Sequence, residues 1–160
     1  MRLPLRGGCQ CGYLRYEIRA EPLSVYVCHC TECQRQSGSA FGMSVIVPRP
    51  SLVVVAGEPR RWSRTSERGN VLDGDFCPTC GTRVVHYPRV NEAVAILKPG
   101  TLDDTRWLVP VGHIWTRSAQ KWVPIPQDSV IFEGHPEVGK LIEAWQSRAS
   151  GATAGAGAVP

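Results

Sequence analysis

The sequence predicts a mainly β protein with one helix near its C-terminus. Three observations predict this fold class. Short apolar or alternating segments recur along the chain, prolines and glycines separate most of them, and the seven cysteines stand in close-spaced groups. Short strands with turn signals at this spacing are typical of layered all-β folds.

Eight segments carry the strand pattern. Residues 14–19 alternate between apolar and polar side chains, as expected of a half-buried strand. The others are short extended runs, many of them rich in β-branched residues, at 24–28, 43–47, 52–56, 83–87, 93–97, 109–115 and 130–133. These segments are the predicted strands.

The single predicted helix begins at Pro136, because proline is favoured in the first turn of a helix. Its apolar residues recur at helical spacing and are expected to pack on the core; they are Val138, Leu141, Ile142 and Trp145. Residues 149–160 are rich in glycine and alanine and are expected to form a flexible tail. Residues 1–148 are therefore predicted to form a single domain.

The composition is that of a globular protein, with 42% hydrophobic and 20% charged residues. No apolar run approaches the roughly 20 residues of a membrane helix, and no secretory signal is visible, so we expect a cytoplasmic protein. The formal net charge is +4, and no recognised motif for nucleic-acid binding accompanies it. The densest arginines are expected on a solvated surface loop, or alternatively in a patch that attracts an anionic substrate; they are Arg60, Arg61, Arg64 and Arg68.

The cysteines are spaced as C-x-C, C-x-C-x-x-C and C-x-x-C, which in a cytoplasmic protein favours metal binding or redox chemistry over disulfide bonds. Cys9 and Cys11 are expected to lie two apart in an extended segment, so both sulfurs can face one ion. Cys77 and Cys80, followed by Gly81, have the spacing of a zinc-knuckle turn. The two pairs together would complete a closed Cys₄ site, the usual form of a structural zinc, and would tie distant parts of the chain together.

The remaining three cysteines, Cys28, Cys30 and Cys33, are predicted to hold a second ion from one short segment. Three protein ligands leave a fourth position for water or substrate, which is the pattern of a catalytic zinc. One alternative is a metal-free or partly occupied cluster that acts in redox chemistry. The other is a closed site whose fourth ligand is a more distant group or one of His29, His86 and His113.

Three thiolates would make a zinc site anionic overall, so a water bound there should be less acidic than one held by three neutral histidines. Such a site suits another thiolate as ligand. This favours chemistry on a thiol or thioether over simple hydrolysis. A general acid would protonate an alkoxide that develops during such a reaction, and the candidates for it are His113, Glu32 and Asp75.

The segment after the second cluster, residues 34–42, is small, polar and rich in glycine and serine. It could present backbone N–H groups to an anion, with Arg35 pairing a carboxylate, or it could be an ordinary turn. The aromatic residues Phe41, Trp115 and Trp122 are expected to cover a small core or the metal site, and secondarily to line a substrate cleft.

Three stretches of sequence carry a family resemblance. They are Gly8-Cys9-Gln10-Cys11-Gly12 with Arg15-Tyr16, Cys28-His29-Cys30-Thr31-Glu32-Cys33-Gln34-Arg35 with Ser37-Gly38-Ser39-Ala40-Phe41, and Phe76-Cys77-Pro78-Thr79-Cys80-Gly81-Thr82. In this order and spacing they resemble the glutathione-dependent formaldehyde-activating enzyme family, which also includes centromere protein V. The resemblance extends to Gly100-Thr101-Leu102-Asp103-Asp104 and to His113-Ile114-Trp115 with Trp122, and covers about residues 5–135.

The resemblance implies a β-tent fold of packed antiparallel sheets, of the Mss-four-like kind, and two zinc ions per chain. It implies a structural zinc on Cys9, Cys11, Cys77 and Cys80 and a catalytic zinc on Cys28, Cys30 and Cys33. The implied activity is that of a carbon–sulfur lyase that interconverts S-hydroxymethylglutathione with glutathione and formaldehyde. The implied partner is therefore a small thiol or a thiol–aldehyde adduct. Alternatives on the same scaffold are a zinc-binding interaction module and a thiol-redox protein.

Overall fold

The computed structural model describes residues 1–66 and 68–154, with side chains up to residue 148. Strands dominate this part of the chain, and the mainly β fold class is confirmed. The strands are β1 Leu5–Gly8, β2 Arg15–Ile18, β3 Ser24–Cys28, β4 Gly42–Pro48, β5 Leu52–Ala56, β6 Arg60–Thr65, β7 Val71–Phe76, β8 Arg83–Pro88, β9 Val94–Leu97, β10 Gly112–Ile114 and β11 Val130–Phe132. The helices are α1 Thr31–Ser37 and α2 Val138–Ala154.

The chain divides into two compact units, each assembled from two separate segments. The first contains Met1–Pro22 and Ser44–Leu108, and the second contains Leu23–Met43 and the chain from Val109 onward. Each cysteine group lies within one unit, because the group of four belongs to the first and the group of three to the second.

The first unit has two antiparallel layers. One is a three-stranded sheet in the order β1-β2-β5, and the other runs β4-β9-β8-β7-β6. Burial alternates along β2 and β9, whereas β4, β7 and β8 contain runs of consecutive buried residues. The core includes Leu5, Tyr16, Ile18, Val45, Val47, Val85 and Leu97. The expectation of antiparallel sheets therefore describes this unit.

The second unit differs from that expectation because its strand pairs are parallel. Strand β10 pairs with β3 on one side and with β11 on the other, both in the same direction. These strands come from distant parts of the sequence, and long connections rather than hairpins allow parallel pairing. Helix α2 packs here: Leu141 is fully buried, its carbonyl accepts from Ser24 Oγ (2.9 Å), and a Cβ at Gly112 would lie 2.4 Å from Leu141 Cδ2.

Helix α2 is present as predicted but begins at Val138, two residues after the expected start at Pro136. It continues through Ala154, which takes the helix six residues into the segment 149–160 that was expected to be a flexible tail. Residues 155–160 lie outside the described residues, so the boundary after residue 148 and the single domain stay predictions. Within the described residues, no helix is both long and apolar enough to span a bilayer.

Four elements were not predicted from the sequence: β1, β6, β7 and α1. The arginine-rich segment expected on a surface loop is strand β6, which contains Arg60, Arg61 and Arg64 and pairs along its whole length with β7. Helix α1 has no buried residue and no apolar stripe, so no hydrophobic periodicity marks it. Its ends stabilise it instead, because the Cys30 side chain caps the N-terminus and Gly38, at φ +60°, closes the C-terminus.

Candidate metal centres

The first cysteine group forms at two tight turns of the first unit. In one turn the Gly12 N–H donates to the Cys9 carbonyl (3.1 Å), and in the other the Gly81 N–H donates to the Cys77 carbonyl (2.9 Å). Both glycines have left-handed φ angles, +81° and +73°, which glycine adopts without a steric penalty. Each glycine follows the last cysteine of its turn, so it allows the chain to fold back there.

The expectation that Cys9 and Cys11 lie in an extended segment is wrong. The chain turns after Cys9 instead, and the Cys9 N–H donates to the Leu14 carbonyl across the turn (3.0 Å). The sulfurs nevertheless face one point, because a tight turn also brings side chains two residues apart together. The zinc-knuckle turn predicted at Cys77 is present.

The sulfur–sulfur distances in this group fit a single metal ion. Cys11 Sγ lies 3.5 Å from Cys9 Sγ and 3.7 Å from Cys77 Sγ. All four sulfurs, including that of Cys80, lie within 4.8 Å of one another. Tetrahedral zinc with bonds of about 2.3 Å places two sulfurs roughly 3.8 Å apart, whereas a disulfide bond measures about 2.05 Å. The four thiols are free, and the group could hold a metal.

Polar groups around two of these sulfurs, those of Cys9 and Cys80, favour the thiolate form that a metal needs. The Leu14 N–H donates to Cys9 Sγ (3.2 Å), and Thr82 Oγ1 lies 3.2 Å from Cys80 Sγ. The Thr82 side chain, with its backbone N–H, lowers the pKa of Cys80 to about 5. Thr82 Oγ1 also accepts from the Gln10 N–H (3.2 Å), so one hydroxyl links the two turns.

The second cysteine group forms where β3 ends and α1 begins. Cys28 is the last residue of β3, Cys30 is the N-cap of α1, and Cys33 lies in the first turn of that helix. Their sulfurs all lie within 4.8 Å of one another, and the Cys33 N–H donates to Cys30 Sγ (3.3 Å). Gly42 allows this close packing, because a Cβ there would lie 3.3 Å from the Cys33 Cβ.

The three sulfurs share protons unequally. Hydrogen bonds from Cys28 and then Cys33 lower the pKa of Cys30 to about 2, and the same contacts raise the pKa of Cys28. A shared negative charge of this kind is what a cation would neutralise. The arrangement could therefore hold a thiophilic metal ion, as the donor set alone suggests.

Among the described residues, no histidine or carboxylate joins this cluster as a fourth ligand. Two of the histidines considered for that role bond to each other, since His29 Nε2 lies 2.9 Å from His113 Nδ1. The third, His86, belongs to the first unit, where its Nε2 accepts from Arg83 Nη1 (3.2 Å). Among the described side chains, the second cysteine group is thus a cluster of three thiols.

The His29–His113 pair is buried, and burial lowers the pKa of both imidazoles, so both are neutral at physiological pH. His29 Nδ1 is buried and has no hydrogen-bond partner among the residues that the structure describes. Burying an unpaired nitrogen acceptor costs less free energy than burying an unpaired N–H. We therefore assign the His29 proton to Nε2, which donates it to His113 Nδ1, and leave Nδ1 unprotonated. Because side chains alternate along extended backbone, His29 points to the side opposite Cys28 and Cys30. The histidine pair therefore lies on the other side of the chain from the three thiols.

The candidate general acids are all engaged in other contacts. His113 is bonded to His29. Glu32 forms an ion pair with Arg35 on the exposed surface of α1 (2.7 Å). Asp75 lies in the first unit and accepts two hydrogen bonds from Arg61, at 2.7 and 2.9 Å. Arg35 is thus paired within its own helix. The first residues of the segment 34–42 belong to helix α1 and do not form a turn.

The sequence did not single out Gln34 as a functional residue, yet this side chain tethers α1. Its amide nitrogen donates to the His29 carbonyl (2.7 Å) and to the Ser118 carbonyl (2.9 Å). Its amide oxygen accepts from Gln120 (3.1 Å). A glutamine directly after the third cysteine was the only available signal, and no sequence pattern distinguishes it from an exposed helical glutamine.

The three aromatic residues of interest have different environments. The Phe41 ring packs edge-on against His29, with centroids 5.7 Å apart. Trp115 adopts φ +57°, and the Arg117 guanidinium lies 4.5 Å from the centroid of its ring. Trp122 is 73% exposed, so the expectation that it covers the core or the metal site is wrong.

Comparison with known proteins agrees with this architecture. A crystal structure of a Rhodobacter sphaeroides protein is similar in fold, with a TM-score of 0.52 and 23% sequence identity over 64% of this chain and 92% of that one. The sequence profile of the family described as "Glutathione-dependent formaldehyde-activating enzyme" matches residues 4–118. This match spans all seven cysteines of both candidate centres. The chain belongs to the glutathione-dependent formaldehyde-activating enzyme family.

Proposed function

We propose that this protein is a zinc-dependent carbon–sulfur lyase that acts on a thiol–aldehyde adduct such as S-hydroxymethylglutathione. One observation carries the proposal: three thiols converge at the β3–α1 junction without a fourth ligand among the described side chains. The family match supports an enzyme whose substrate is related to glutathione. The free, close-spaced thiols fit a reducing compartment such as the cytoplasm.

The two cysteine groups would have different roles. The group of four has the complete donor set of a closed structural zinc site. Zinc bound at the group of three would supply a thiophilic Lewis acid with one position left for a substrate sulfur. We therefore assign two zinc ions per chain, with Cys28, Cys30 and Cys33 as the catalytic set.

The proposed reaction is balanced without a redox partner. In the cleavage direction the hydroxyl group of the adduct loses its proton and becomes the carbonyl of formaldehyde. The carbon–sulfur bond breaks, and its electron pair remains on sulfur as the glutathione thiolate. In the reverse direction the thiolate adds to the carbonyl carbon, and the resulting alkoxide takes up a proton.

The protein contributes to this chemistry by holding the three thiols in fixed positions. Cys28 is fixed by the parallel pairing of β3 with β10, and Cys30 and Cys33 are fixed by the first turn of α1. Gln34 holds that helix in place through two backbone carbonyls. Correct placement of a reacting group is itself a large part of catalysis, so these supports are expected to matter for rate.

The decisive experiment combines metal analysis, thiol titration and an exchange assay on the purified protein. We expect two zinc ions per chain, few titratable thiols, and faster exchange between free glutathione and its formaldehyde adduct, measured by NMR. The Cys30→Ser variant should keep one zinc and lose the acceleration. Two zinc ions with no acceleration, and no effect of glutathione on the second ion, would rule out the named substrate.

A thiol-redox function is the second candidate, and the lowered pKa of Cys30 favours it. A thiol that stays deprotonated at neutral pH can attack an oxidised sulfur. The same measurements separate the two functions. One zinc per chain together with three titratable thiols would support redox chemistry, whereas two zinc ions support the lyase.

A further inference from the structure

One face of the β4-β9-β8-β7-β6 sheet carries arginines that have no acidic partner among the described residues. Along β6, Trp62 and Arg64 point to one face of the sheet, and Arg61 points to the other. On the Arg61 side the charges are compensated: Arg61 pairs with Asp75, and the neighbouring carboxylate of Asp73 has its own arginine partner. The opposite face has a different arrangement.

On that opposite face, Arg83 of β8 extends across the middle of β7 at Gly74. A Cβ at Gly74 would lie 2.7 Å from Arg83 Nη1 and 3.3 Å from its Cζ, so a larger residue there would displace the guanidinium from this position. Glycine weakens the interior of a strand, and such a glycine often marks a place where another group approaches the backbone closely. The absent side chain at Gly74 thus creates a cradle for Arg83.

Two side chains fix the guanidinium in this cradle. Its Nη1 donates to His86 Nε2 (3.2 Å), and its Cζ lies 5.4 Å from the centroid of the Trp62 ring. Burial lowers the pKa of His86 well below its usual range, so the ring is neutral and its Nε2 can accept a hydrogen bond. Trp62 is half exposed, which leaves the cluster accessible from solvent.

The electrostatic environment of Arg83 is unfavourable in the absence of an anion. Burial, and then the nearby Arg64, lower the pKa of Arg83, although a guanidinium remains charged at neutral pH. Among the residues that the structure describes, neither arginine has a carboxylate within ion-pair distance. A partly desolvated cation without a counter-charge destabilises a fold, so packing alone does not account for this arrangement.

We propose that Arg83 and Arg64, together with Trp62, form a binding site for an oxyanion, namely a carboxylate or phosphate group of a small molecule. The planar guanidinium of Arg83 matches two oxygens of such a group, and a charge-assisted pair of hydrogen bonds is stronger than a neutral one. The site goes beyond the proposed lyase function and uses no residue of either cysteine group.

The test is a titration of the zinc-loaded full-length protein with succinate and, separately, with inorganic phosphate at constant ionic strength. The readout is the indole N–H signal of Trp62 in a nitrogen-15 correlation spectrum, assigned with the Trp62→Phe variant. We expect a saturable shift with at least one of the two anions. Saturation by succinate identifies carboxylate as the preferred group, and saturation by phosphate alone identifies phosphate.

Two variants and one matched control make the test specific. Arg83→Gln should weaken binding at least about ten-fold, the size expected when hydrogen bonds to a charged group are lost. Gly74→Ala keeps every charge but displaces the guanidinium, so it should also weaken binding. Arg68→Gln removes one positive charge from the turn after β6 and should leave the affinity within about two-fold of wild type.

Three outcomes would overturn the proposal: no saturable shift with either anion, equal weakening by Arg83→Gln and Arg68→Gln, or unchanged binding in Gly74→Ala. Thermal unfolding of each variant shows whether it is folded. The lyase assay is measured in parallel. Because the anion site shares no residue with the group of three, loss of anion binding with intact zinc content and activity separates this proposal from the lyase proposal.

Discussion

At the level of single residues, the carboxylates of β7 show how the first unit balances its charges. Asp73 is 8% exposed and accepts two hydrogen bonds from Arg89, at 2.9 and 3.1 Å, and a third from Ser63 Oγ (2.6 Å). The Arg89 guanidinium, and then the Ser63 hydroxyl, lower the pKa of Asp73 to about 2. An unfolded chain has an ordinary aspartate pKa of about 3.9.

This difference predicts a pH dependence of stability. A carboxyl whose pKa is depressed in the folded state stabilises the fold above its unfolded pKa and loses that contribution as pH falls towards the folded pKa. Asp73→Asn should therefore lower the free energy of unfolding at pH 7, and the difference from wild type should shrink between about pH 4 and pH 2. Urea unfolding across this range measures the difference.

The matched control is Asp128→Asn, which removes the same charge from an exposed residue. It should change stability little at any pH. A difference between wild type and Asp73→Asn that stays constant down to pH 2 would contradict the stabilising role of this ion pair.

At the level of elements, burial alone does not decide which strands the sequence predicts, because β1 and β7 contain buried residues and were missed. Strand β3 is buried throughout and was located correctly, whereas β6 is mostly exposed and pairs through its backbone. Backbone pairing leaves no hydrophobic pattern, so an arginine-rich edge strand resembles a loop. The seven-residue helix α1 was missed for the same reason, since its caps and tethers lie outside any apolar periodicity.

The cysteines come together in the two groups that the sequence predicts, and their roles as metal ligands stay predictions. The contacts that orient them were not predicted. The Thr82 hydroxyl that links the two turns and the Gln34 amide that reaches Ser118 depend on residues 72 and 84 positions apart. Tertiary contacts of this kind cannot be inferred from one sequence.

The tether of α1 gives a prediction about metal affinity. Gln34→Glu removes the two amide N–H donors, keeps the side-chain shape, and places a negative charge beside two backbone carbonyls. We expect affinity for metal at the group of three to fall roughly ten-fold, as unsatisfied buried acceptors and repulsion loosen the helix. Titration with cobalt, followed by cobalt–thiolate absorption, measures the affinity.

Gln36→Glu is the control, because it adds the same charge to the same helix at a residue for which the structure describes no side-chain hydrogen bond. Its affinity should stay near that of wild type. Equal losses in both variants would show that charge, and not the tether, sets the affinity.

At the level of the whole molecule, the two units should respond differently to the loss of their cysteines. The group of four joins Cys9 and Cys11 to Cys77 and Cys80, so it fastens the beginning of the first unit to its middle. The group of three closes only a short segment at the start of α1. Structural zinc sites contribute about 10–16 kcal/mol of apparent binding free energy, which is as large as the stability of a whole domain.

Cys77→Ser is therefore expected to unfold the first unit, whereas Cys30→Ser should leave both units folded. Hydrogen exchange measured by mass spectrometry should show lost protection in β1, β7 and β8 for Cys77→Ser only. The two substitutions are chemically identical and serve as controls for each other. Global loss of protection in Cys30→Ser would contradict this division of roles.

The separation between the halves of the first centre also has a consequence for synthesis. Cys28, Cys30 and Cys33 leave the ribosome together, whereas Cys9 and Cys11 must wait for Cys80, which follows Cys33 by 47 residues. At translation speeds of roughly 5–20 residues per second, the nascent chain exposes five cysteines for about 2–9 s before the closed centre can form. During that interval those five thiols compete for the same ion, so the order in which the chain is made sets the order in which its centres can be filled.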